Sequence, residues 1–103
     1  LYLNHDVYIE TEAVIKNFNR ITNLVYKLLP LKEEEKDWQK LLENLIIELE
    51  GMNMLLIDQH DLLFQLLCKM KGLFKISSNF ELFRRTIFDC LNLLGKIKDN
   101  VCA

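Results

Sequence analysis

The chain has 103 residues, half of them hydrophobic and 27% charged, with a formal net charge of −2. That length supplies one hydrophobic core, and the composition is that of an ordered globular domain, not a disordered tail. The charge balance excludes a globally basic surface for gripping phosphates, so nucleic acid is not an expected partner.

No apolar run approaches the ~20 residues needed to cross a bilayer, and no segment resembles a signal peptide. The chain begins with Leu1 and not with Met, so its numbering is expected to start inside a longer polypeptide or after processing. Cys68, Cys90 and Cys102 are an odd number without close pairing. Neither a disulfide framework nor a zinc site is expected from them, and free thiols point to an intracellular compartment, cytoplasmic or nuclear.

Val14, Phe18, Ile21, Val25 and Leu28 recur in steps of three and four, which places them on one side of a helix predicted over about 7–29. Pro30 is its expected stop, because proline lacks a backbone N–H and disfavours helix in the residue before it. Tyr8, Ile15 and Tyr26 form a side row expected to join the core.

A second helix is predicted over about 33–50. The run Glu33, Glu34, Glu35 and Asp37 favours its positive end, Trp38, Leu42, Leu45 and Leu49 form its apolar stripe, and Gly51 ends it. Met52, Met54, Leu55, Leu56 and Ile57 follow as an apolar linker expected to cover the end of the bundle.

The third helix, about 58–71, carries Leu63, Leu67, Met70 and Phe74, with Asp58 and Asp61 as a capping pair and Gly72 as its close. The fourth, about 79–98, carries Phe80, Phe83, Ile87, Cys90, Leu94 and Ile97, with Leu82 and Leu93 as a side row. Ser78-Asn79-Phe80-Glu81 reads as a Ser-x-x-Glu capping box, and Gly95 marks a place to fray or end.

Links this short make successive helices antiparallel neighbours. The expectation is an all-α, up-down-up-down four-helix bundle, with residues 1–103 as a single helical domain. The same hairpins are compatible with a longer α-helical scaffold.

Ile47 falls nearly opposite its stripe, Phe64 and Cys68 far from theirs, and Phe88 far from its own. A single exposed apolar residue is ordinary on any protein. Ile47, Phe64 and Phe88 nevertheless have no expected place inside the bundle, and burying each against a partner would contribute roughly 1.5–3 kcal/mol. They are the candidate partner-binding residues, the partner being a helix, a helical domain or a second copy.

Chemistry is sparse. His5 and His60 are the only histidines, and Asp58-Gln59-His60-Asp61 does not offer the three or four convergent ligands of a metal site. Glu33–Glu35 form a solvated helix start without the sequestration acid–base work needs, and the three glycines stand apart, so no phosphate loop is present. The cluster Lys69, Lys71, Lys75, Arg84 and Arg85 reads first as solvated helix faces. No catalytic residue, metal, cofactor or small-molecule substrate is expected. The chain reads as a non-enzymatic interaction or assembly module, a scaffold or adaptor, with a secreted cytokine-like helical ligand as the alternative.

The stretch from Leu45 through Gly51 and Met52 to Leu56, continuing through Asp58-Gln59-His60-Asp61-Leu62-Leu63, resembles the third and fourth helices of death effector domains. The resemblance covers about a third of the chain. It implies self-association into helical assemblies and an adaptor role in apoptotic or inflammatory signalling, without enzymatic activity. That family's Arg-x-Asp-Leu motif is replaced here by Gly72, Leu73, Phe74 and Lys75.

Overall fold

The computed structural model describes residues 11–102. His5, Tyr8 and the expected opening turn at 7–10 lie outside the described residues, as do the side chains of Met54, Leu55, Ile57 and Cys102. Four α-helices make up the described chain: α1 (Thr11–Glu33), α2 (Trp38–Leu55), α3 (His60–Gly72) and α4 (Phe80–Cys102). A single 3-10 turn, Ile57–Gln59, joins α2 to α3, and no strand occurs among the described residues.

The stripes become the core. Val14, Phe18, Ile21, Val25 and Leu28 of α1 are buried, as are Trp38, Leu42, Leu45 and Leu49 of α2. Leu63, Leu67 and Met70 of α3 meet Phe83, Ile87, Cys90, Leu94 and Ile97 of α4 in one cluster with them. α1 packs against α2 and α4, and α3 packs against the same two helices. The long dimension is 44 Å and the cross-section 22 × 21 Å.

Each of the four seams carries a polar clasp. Arg20 pairs with Glu48 across α1 and α2, and Lys71 with Glu50 at 3.1 Å across α2 and α3. Lys69 pairs with Asp89 at 3.5 Å across α3 and α4, and Lys98 donates to the Asn19 side chain at 2.9 Å across α4 and α1. Exposed pairs of this kind contribute about 0–1 kcal/mol each, so burial holds the fold.

The helix ends depart from the sequence reading in six places. Pro30 does not stop α1, which contains it and continues to Glu33. Proline forfeits only its own N–H, and the added turn brings Leu31 onto the core while the Pro30 carbonyl accepts from Glu34 N at 3.0 Å. α1 then closes on Glu35, at φ 55°, with Glu35 N donating to Lys32 O at 3.1 Å and Lys36 N to Leu31 O at 2.9 Å. This is a Schellman closure built on a non-glycine residue.

The acidic run consequently belongs to the end of α1 and its loop and does not open the second helix. Only Asp37 serves α2, its carboxylate accepting from Lys40 N at 3.1 Å as N-cap. Gly51 lies inside α2, which runs a further turn to Leu55; the expected linker is therefore largely helix, with Leu56 buried and Met52 packed on the core.

α3 opens on Gln59 without a side-chain cap, so the Asp58/Asp61 pair does not cap it. α4 opens one residue later than the expected capping box: the Asn79 side chain accepts from Leu82 N at 3.1 Å, and Ser78 is no cap. Gly95 neither ends nor frays α4, which continues to Cys102. The side rows also divide. Leu93 is buried, but Tyr26 and Leu82 stay exposed.

Candidate functional site

Ile47, Phe64 and Phe88 stand outside the core on three different helices. They are 68%, 66% and 39% exposed. On α2 the core is reached from Leu42, Leu45, Ile46 and Leu49, which leaves Ile47 pointing away from α1 and α3 alike. Glu43 precedes it by one turn and Glu50 follows by one turn, so a rim of carboxylates borders it. Phe64 likewise follows Leu63 out of the core, and Cys68 one turn later is exposed beside it on the same face.

Phe88 has company within the chain. Its ring meets Tyr26 of α1 edge to face, with centroids 6.3 Å apart and planes at 81°. The Arg84 guanidinium lies over the same ring, 5.4 Å from its centroid. This Tyr26–Phe88–Arg84 group is an amphipathic cluster on the α1/α4 seam, with a cation held on an aromatic face. The wheel reading missed Tyr26 and Arg84 as members; the Arg84-x-x-x-Phe88 spacing was the available signal.

The basic cluster does not form one patch. Lys69 and Lys71 leave α3 on opposite sides to meet Asp89 and Glu50, and Arg84 is occupied by Phe88. A second aromatic group closes one end of the molecule: Trp38 packs against Phe74 at 5.9 Å and Phe83 at 5.3 Å, and Phe80 stacks on Phe83 at 6.5 Å. Phe74 and Phe80, counted in the stripes, sit at helix ends and remain partly exposed.

No protein-family model, curated protein or solved structure matches the chain. The site therefore rests on its own geometry. Among the described residues no three His, Cys, Asp or Glu side chains gather where they could hold a metal ion. His60 is exposed at the first residue of α3. Cys68 and Cys90 are both free thiols. Burial pushes the Cys90 thiol up to about 12, with Asp89 adding to the rise and Lys69 opposing it. A thiol so held stays protonated and packs as a small hydrophobe. No helix of the described residues is long and apolar enough to cross a membrane.

Proposed function

We propose that the chain is a non-enzymatic α-helical interaction or assembly module, with Ile47, Phe64 and Phe88 as its contact residues. The observation that carries this reading is the exposure of those three side chains on helices whose other large apolar residues are mostly buried. Water is a poor environment for them, and a helix or helical domain with an apolar stripe would cover them favourably.

We take the four helices in up-down-up-down order. The links of four residues between α1 and α2, four between α2 and α3, and seven between α3 and α4 are too short for the long crossovers of an up-up-down-down ligand. A 23-residue helix is about 35 Å long, which fits helices aligned with the 44 Å dimension. The free thiols of Cys68 and Cys90 support a reducing, intracellular setting over a secreted one. A death-fold adaptor is the alternative reading, with Ile47 inside the stretch that carries that resemblance, but that fold uses six short helices where four are described here.

Affinity capture with the wild-type chain and with Ile47→Asp/Phe64→Asp/Phe88→Asp tests the reading. Loss of co-purifying protein from the triple variant, with its helical circular dichroism intact, supports it. Identical capture by both chains removes these residues as the contact surface.

A further inference from the structure

Two exposed apolar residues share one pattern with opposite charge. Ile47 on α2 is preceded four residues earlier by Glu43, and Phe88 on α4 is preceded four residues earlier by Arg84. All four side chains are exposed. Glu43 has no ion-pair partner among the described residues, and neither does Arg84, whose guanidinium rests on the Phe88 ring.

The two faces cannot meet within one molecule. α2 and α4 each pack on α1 and α3, which puts them at opposite corners. In the up-down-up-down order proposed above, helices at opposite corners run in the same direction. A second copy set with its α4 parallel to the first copy's α2, and displaced by about one helical turn along the bundle axis to bring the two patterns level, completes the contact. Ile47 would face Phe88, and Glu43 would face Arg84.

We propose that the partner of these faces is a second copy of this chain, docked by its Arg84–Phe88 face on the Glu43–Ile47 face of the first. The proposal rests on the interaction-module reading and names its occupant by charge complementarity. Tyr26, edge-on to Phe88, widens the receiving surface. The contact is heterologous: each copy offers one acidic-rimmed and one basic-rimmed face, so association leaves a free face at either end and continues into open oligomers. Added salt weakens it by screening the Glu43–Arg84 pair.

The test is light scattering after size-exclusion chromatography across a concentration series. Wild type gains mass with concentration, and Ile47→Asp and Phe88→Asp each lower the association constant by about tenfold or more. Mixing those two variants is the decisive step, since each retains the face the other has lost. A one-to-one dimer that grows no further supports the proposal. Continued self-association by Phe88→Asp alone, or a mixture that stays monomeric where wild type associates, overturns it.

Should either aspartate variant fail to fold, Glu43→Arg and Arg84→Glu replace them at exposed positions. Each alone weakens association and the double variant restores it, whereas a double variant as weak as the singles overturns the pairing. A wild-type chain that is monomeric at every concentration ends the second-copy proposal alone. The assignment of Ile47, Phe64 and Phe88 as contact residues would fall separately, on unchanged partner capture.

Discussion

Lys32 holds its Nζ 5.6 Å from the centroid of the Trp38 ring, across the turn from α1 to α2. The contact exists only because α1 runs past Pro30. That extra turn also forces Glu35 to φ 55°, a left-handed conformation that costs an L-residue roughly 1 kcal/mol and glycine almost nothing. Glu35→Gly is therefore expected to stabilise the chain by about 1 kcal/mol, raising Tm by about 5 °C. Thermal and urea unfolding check it, and an unchanged or lower midpoint contradicts the closure.

Gly51 and Gly95 lie inside helices, and a Cβ added at either meets no atom within 4 Å. Alanine there narrows the unfolded ensemble without a clash. Gly51→Ala and Gly95→Ala should each add roughly 0.5–1 kcal/mol, and the two gains should sum because the sites lie on different helices. Urea midpoints of the singles and the double measure this.

The core was legible because burial repeats with the helix. Every stripe position in α1 and α2 is buried, and Ile47, Phe64 and Phe88 are exposed where the wheel put them. Leu66, completely buried, escaped notice because a stripe through Leu63 and Leu67 leaves it one step to the side, toward α4. The ends were less legible. A proline, a mid-helix glycine or a cap is worth about 1–3 kcal/mol, comparable to burying one more leucine, so local signals at Pro30, Gly51 and Gly95 lost to packing. The site was legible as exposure only, since a sequence shows which side chains lack a neighbour but not the Tyr26 and Arg84 that gather around Phe88.

The Cys90 thiol is held up to about 12 by its burial, against the ordinary 9.0. Because the folded state keeps this proton longer than the unfolded state, stability is intact below pH 9 and falls as pH rises toward 12, by up to about 1.4 kcal/mol per unit. Cys90→Ala should lower stability at pH 7 by roughly 1 kcal/mol through the lost sulfur contacts, and should flatten the decline above pH 9. Urea unfolding of both chains at stepped pH isolates the Cys90 contribution as the difference between them. In a thiol-labelling assay at neutral pH, exposed Cys68 reacts in the folded chain and Cys90 only on unfolding.

Ser78 and Asn79 separate a local sequence signal from the geometry that replaced it. A Ser-x-x-Glu box would have Ser78 accept from the N–H of residue 81, with the Glu81 carboxylate reaching back to it. In the structure the Asn79 oxygen caps Leu82 N at 3.1 Å and the Asn79 carbonyl accepts from Phe83 N at 2.9 Å, so Leu82 occupies the position a box would give to Glu81. Phe83 and Ile87, both completely buried, lie inside the helix from either start. Starting the helix at Ser78 would offer no further burial to offset the lost Asn79 cap. Asn79→Ala should thus destabilise by about 1 kcal/mol, while Ser78→Ala should change stability by less than about 0.5 kcal/mol. The opposite ranking of the two variants in urea unfolding would restore the box and move the start of α4 back by one residue.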